Sequence, residues 1–168
     1  MDAPPTAPAT VIDCMKQERA LVFERLNAAD AMTIGQCIVA LAQAWFPGRP
    51  VAVHLERNDH PVFVFFMDGT GAGNADWIQR KKNVSLRFGH SSWMVRQQCV
   101  ERGIDFNTET GLDPAQYRAE GGAVPLVLRG QGRIGTLIVS GLAGDEDHAL
   151  AVAGLQWWQR REREAAGG

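Results

Sequence analysis

Two short stretches of the sequence gather side chains able to hold or protonate a small molecule. The first runs from Arg80-Lys81-Lys82 to Arg87-Phe88-Gly89-His90-Ser91-Ser92. Gly89 suits the left-handed residue that ends a helix, and Ser91 suits the cap of the next one. A helix starting there turns free backbone N–H groups into the junction, and such groups attract anions. Arg80 and Arg87 are seven residues apart and share a helical face. Arg87 lies within one turn of the junction, where a planar guanidinium can grip a carboxylate with two parallel hydrogen bonds. Ser91 and Ser92 add hydroxyl donors, and His90 adds a group whose charge changes near neutral pH. The plain alternative is that Ser91 only caps a helix while the arginines are solvated or paired with acids.

The second stretch is Asp145-Glu146-Asp147-His148. Carboxylates in a first helical turn offset the positive end of the helix dipole, which accounts for them without any chemistry. The functional reading makes Asp147 or His148 a pocket wall or an acid/base partner. Other patterns carry less. Gly69-Thr70-Gly71-Ala72-Gly73 lacks the spacing of a dinucleotide loop, and no phosphate-loop Lys-Ser/Thr pair follows, so it reads as a linker. There is no G-x-S-x-G, no C-x-x-C and no pair of histidines at i, i+4. His54 should point away from the core and His60 falls in a turn.

Helices and strands must position these groups. Ile34, Cys37, Ile38, Leu41 and Trp45 recur at helical intervals after Asp30, read as the cap, and Pro47-Gly48 ends that helix. A first helix is expected over 10–19, and a short strand within 20–26. Val51, Val53 and Leu55 alternate with polar or small neighbours, and 62–67 reads as the returning strand of a hairpin. Asn74 can cap a helix to Phe88 with Trp77, Ile78, Lys81, Val84 and Phe88 along one side. A further helix spans 91–102. Residues 104–122 read as irregular, apart from a turn at Asp113-Pro114. Strands 124–128 and 134–139 form a second hairpin, and a last helix covers 145–161. Two hairpins with intervening helices predict an α+β fold, an antiparallel sheet of about five strands with helices packed on it. A disordered tail is expected over 1–10, one domain over 11–161 and a frayed end over 162–168.

Composition narrows the partners. The 168 residues carry 17 basic and 19 acidic side chains, a formal net charge of −2. Phosphate-gripping proteins show a basic excess, so nucleic acid is excluded as a partner. The most apolar run, 62–67, is too short to span a membrane, and the Asp2- and proline-bearing start has no signal-peptide pattern. Cys14, Cys37 and Cys99 are odd in number and widely spaced, which fits reduced thiols in the cytoplasm. Neighbouring helical residues diverge by about 100°, so Trp157 and Trp158 cannot share one narrow core stripe. One of them should meet a covering loop or a second subunit, and a homo-oligomer is expected.

Two sets of residues carry a resemblance. Asn74-Ala75-Asp76-Trp77-Ile78-Gln79-Arg80-Lys81 through Arg87-Phe88-Gly89-His90-Ser91-Ser92 is one. Gly121-Gly122, then Gly130-x-Gly132-x-Ile134-Gly135, then Val139-Ser140-Gly141-Leu142 and Glu146-Asp147-His148 is the other. Over about 26–158 the chain resembles the cytoplasmic haem-degrading-domain family, relatives of the GlcG protein and of the bacterial haem-binding sensor-partner protein. The resemblance implies a profilin-like α-β-α sandwich that assembles into homo-oligomers. It also implies a small-molecule-binding module for an anion, with haem propionates or a small carboxylate as candidates. The binding set it suggests is Arg80, Lys81, Arg87, His90, Ser91, Ser92, Gly121, Gly122, Asp147 and His148. Trp93 stands where the family pattern has Tyr, and Glu120 where a His often precedes the paired glycines. Two other functions stay open: an enzyme using His90 or His148 for proton transfer, and a partner-docking oligomer with no chemistry. No covalent haem is expected, since C-x-x-C-H is absent.

Overall fold

The computed structural model describes residues 3–167. Five strands form one sheet in the order β1 (Val22–Phe23), β4 (Ala123–Leu128), β5 (Gly132–Ser140), β2 (Ala52–Arg57), β3 (His60–Phe66). The β2–β3, β2–β5 and β4–β5 pairs are antiparallel. Successive residues of a pleated strand face opposite sides. Along β5, Leu137 and Val139 therefore enter one core, and Ile138 between them enters another.

On the first face lie α2 (Ala28–Trp45) and α6 (Gly144–Ala166). Ile34, Ile38, Leu150 and Leu155 pack there against Val53, Leu55, Leu126 and Leu137. Each fully enclosed Leu or Ile stabilises the fold by about 1.5–3 kcal/mol. On the second face α3 (Ala72–Phe88) sets Ile78 against Ala52, Ala123 and Ile138. Outside it stand α4 (Ser92–Arg102), then α1 (Val11–Ala20) docked on α4. A short α5 (Phe106–Thr110) brings Phe106 edge-on to Phe88, with ring centroids 5.6 Å apart. The result is the α+β sandwich expected from the two hairpins.

Several local expectations shift. The edge pair β1–β4 is parallel, because β1 arrives from α1 rather than through a hairpin. Helix α2 begins before Asp30: Asn27 is the cap, and Asp30 is the reciprocal partner, with both bonds at 2.9 Å. Asn74 likewise sits inside α3, its side-chain oxygen accepting from Gly71 N–H at 3.1 Å. The hairpin turn between β2 and β3 is only Asn58-Asp59, both left-handed with φ of 51° and 61°, as two-residue hairpins demand. Part of the stretch read as irregular is helix α5. Helix α6 continues to Ala166, through most of the segment expected to fray.

Trp158 packs on the main core, and Trp157 lies under the Arg161 guanidinium at 4.9 Å. The N-terminal segment is not helical, yet Pro8 O accepts from Trp93 Nε1–H at 2.8 Å. Met1, Asp2 and Gly168 of the two expected tails lie outside the described residues. Strand β3 is a sheet edge with Val64, Phe65 and Phe66 exposed. Among the described residues no helix is long and apolar enough to cross a membrane.

Candidate functional site

The apolar stripe of α3 contains one charge. Lys81 lies three residues from both Ile78 and Val84, so the helix that buries them buries Lys81 too. Its ammonium donates to Asp147 Oδ2 at 2.7 Å and to Val139 O at 3.1 Å. Asp147, in the first turn of α6, is equally enclosed, and its Oδ1 accepts from Leu142 N–H at 3.0 Å. Burial pushes the Asp147 carboxyl up to about 6, against the pull of Lys81. A carboxyl in that range exchanges protons near neutral pH.

The pair forms one wall of a cavity of about 350 Å³. Trp77 and Asn74 of α3, Glu120, and Ser140 to Leu142 complete it together with Gly144 at the start of α6. Glu120 is held by Arg96 Nη1 at 2.9 Å. Gly121 and Gly122 let the chain close this tightly. A Cβ on Gly121 would overlap the carbonyl of Gly144. Gly122 has φ of 126°, and a Cβ there would overlap Val139 O and stand 3.0 Å from Lys81 Nζ. Only glycine satisfies both the backbone angle and the contact.

His148 lies behind this wall rather than in it. Its ring stacks on Trp93 at 6.0 Å, and Nε2–H donates to Gln17 Oε1 at 2.7 Å, leaving the buried Nδ1 without a partner. Complete burial pushes its pKa down to about 3, so the imidazole is neutral over the physiological range.

The α3–α4 junction has the predicted shape, with Gly89 left-handed at φ 74° and Ser91 Oγ accepting from Met94 N–H at 3.2 Å. It also holds an anion, supplied by the chain itself. Glu18 of α1 accepts from Ser91 N–H at 2.6 Å and lies 2.8 Å from His90 Nδ1. Arg87 points elsewhere, exposed, with its guanidinium 5.9 Å from the Tyr117 ring centroid. Arg80 rests on Trp77 at 5.5 Å. Ser92 Oγ accepts from Ala123 N–H at 3.1 Å and so ties α4 to β4.

The structure thus brings together Lys81, Asp147, Gly121 and Gly122, with Arg80 bracing the Trp77 wall. It sets His90 and Ser91 apart on Glu18, and Arg87 apart on Tyr117. Trp77, Asn74, Ser140, Gly141 and Gly144 were not singled out as site residues. The useful signal was Lys81 itself, a charge in an apolar helical stripe.

An α-β-α sandwich with a glycine-walled cavity built on a buried Lys–Asp pair is the class of domain that fold and site define. A family model described as "Haem degrading protein HbpS-like" matches residues 26–156, and the chain belongs to this family. A UPF0303 protein of Streptomyces coelicolor is 38% identical over 156 residues, covering 93% of this chain and 97% of the relative. A UPF0303 protein of Burkholderia thailandensis is 38% identical over 139 residues, 83% of each chain. Among solved structures, the Ybr137w protein superposes with a TM-score of 0.82 at 29% identity, covering 91% of this chain and 89% of its own. The PduOC:haem complex shares the fold at a TM-score of 0.63 and 18% identity, over 78% of this chain and 93% of its own.

Proposed function

We propose that the protein is a binding module for a small anionic molecule, a carboxylate fitting best, held in the cavity beside Lys81 and Asp147. The observation that carries this reading is the buried ammonium. It has three N–H groups, of which two are used by Asp147 and Val139, so one is left for a cavity ligand. The volume sits at the low end of the roughly 300–1,000 Å³ usual for small-molecule sites, which suits a compact ligand. Proton transfer, if the module is also an enzyme, falls to Asp147, which lines the cavity. His148 does not line it, and His90 is engaged with Glu18.

Haem is the second reading, favoured by the family description and by the haem complex of the neighbour. The cavity does not fit an enclosed porphyrin, and no histidine lines it. Of the two histidines in the matching motifs, His148 is sealed behind Gln17 and His90 is bonded to Glu18. Ligation of iron by either requires α1 to withdraw. The proposed setting is a cytoplasmic homo-oligomer. The free thiols of Cys14, Cys37 and Cys99 support the compartment, and the exposed apolar edge of β3 supports the assembly.

Native mass spectrometry of protein purified without added ligand, followed by Lys81→Gln and Arg87→Ala variants, tests the site. A bound anion lost in the first and kept in the second is the expected result. The reverse pattern moves the site to the α3–α4 junction. Absorbance titration with haem separates the second reading: a coordinated-iron spectrum abolished by His90→Ala or His148→Ala would favour it.

A further inference from the structure

We infer that Lys81 is an amine nucleophile and that the cavity takes a small 2-oxo acid, whose carbonyl carbon forms an imine with Nζ. This rests on the reading of the cavity as a carboxylate site and adds the class of ligand and a reaction. Of the 17 basic side chains only Lys16, Lys81 and Lys82 are lysines. Lys16 is exposed and bonded to Asp13, and Lys82 reaches Glu56 at 3.0 Å. Lys81 alone is enclosed against a cavity. In a chain that otherwise favours arginine, the buried cation at this wall is a lysine, the side chain that carries a nucleophilic amine. Arginine would grip Asp147 with a fixed two-pronged fork and stay charged.

The neighbours of Nζ supply what imine formation needs. Asp147 Oδ2, at 2.7 Å, accepts a proton from the ammonium and frees the lone pair. The amine nitrogen attacks the carbonyl carbon, the C=O π pair moves to oxygen, and the proton shed by nitrogen ends on that oxygen. The resulting hydroxyl leaves as water with the proton held by Asp147, and the C=N bond forms. Lys81 ammonium and ketone become iminium and water, and Asp147 ends as the carboxylate it began as. The iminium N–H keeps an acceptor in Val139 O or Asp147. Ser140, Gly144 and Trp77 line the space left for the rest of the acid, together with Glu120, whose charge is offset by Arg96.

Pyruvate with sodium borohydride, followed by intact-mass and peptide mass spectrometry of the full chain, tests this. The expected result is a single reduced adduct on Lys81, formed at least about tenfold faster than on Lys16 or Lys82. Lys81→Arg keeps the charge beside Asp147 and should lose the adduct. Asp147→Asn should slow trapping by about a hundredfold, the usual contribution of a positioned acid/base. Equal labelling of all three lysines, or no adduct, overturns the inference. Saturation-transfer NMR with pyruvate distinguishes the two failures. Binding without an adduct leaves the carboxylate site standing and removes the imine. Neither binding nor adduct removes the imine and leaves the anion reading to whatever co-purifies.

Discussion

At the start of α4, Ser91 N–H and His90 hold the carboxylate of Glu18, a residue 73 positions away. At the start of α6, Asp147 is paired with Lys81, and the space beside them is left open. Both places combine a helix N-terminus with a basic side chain. The first is satisfied within the chain and acts as a fastener for α1. The second has room, and its glycines keep that room from collapsing onto side chains. The chain supplies an anion at both places, so what marks the second as a candidate binding site is the open space beside its ion pair.

The largest effect should come from breaking the second place. Lys81→Met leaves Asp147 buried without its counter-charge and should cost about 3–5 kcal/mol in denaturant unfolding. Pairing it with Asp147→Leu should restore most of that loss, since an apolar pair of similar volume is often neutral or better. A double variant as unstable as the single would mean the cavity wall depends on more than this pair.

The next effect is a pH slope. His148 is held neutral by burial at a folded pKa of about 3, below the ordinary histidine value of 6.5. The unfolded chain then binds more protons, so stability is lost as pH falls from 6.5 toward 3, by at most about 1.4 kcal/mol per pH unit. Asp147 works in the other direction. Its folded pKa, raised from 3.8 to about 6, makes the native state the stronger proton binder in that window. His148→Leu should flatten or reverse the acid loss measured by urea midpoints between pH 7 and 4. An unchanged slope would show that the ring is not sealed.

Smaller effects sharpen the first place. Ser91→Ala removes a helix cap and should cost about 1 kcal/mol, with no change in cavity binding by calorimetry. Arg87→Ala removes an exposed group resting on Tyr117 and should shift stability by no more than about 0.5 kcal/mol. A bound ligand that vanished with Arg87 would restore the junction as the functional centre.

The helical stripe of α2, both hairpins, the Gly89 stop and the Ser91 cap are legible from local signals, because each is decided by neighbours along the chain. The parallel β1–β4 edge and the Glu18 anchor were not legible, since both depend on residues brought together from far apart. The cavity was half legible. Asp147 is legible as a pocket wall in the acidic run that opens α6, whereas Lys81, Gly121 and Gly122 enter the binding set through the family resemblance. Trp77 shared the side of α3 that reads as core, and only the sheet beneath decides that Ile78 goes in while Trp77 stands at the cavity. His148 looked like a chemical group, but the depth of α6 in the sandwich turned it into packing.

Helix α1 has a consequence for the order in which the molecule assembles. It precedes residues 26–156, the span matched by the family model. Its fastenings all reach far along the chain: Val11 N–H to Glu101, Gln17 to His148, and Glu18 to His90 and Ser91. Contacts of such sequence separation carry the full loop-closure penalty and form late. Leaving the ribosome before its partners, α1 must wait for α4 and α6 to be made and placed. In the finished protein it should be an early unit to open, shedding amide protection ahead of the sheet. Each such opening would uncover His148, the Trp93 ring and the start of α4 together.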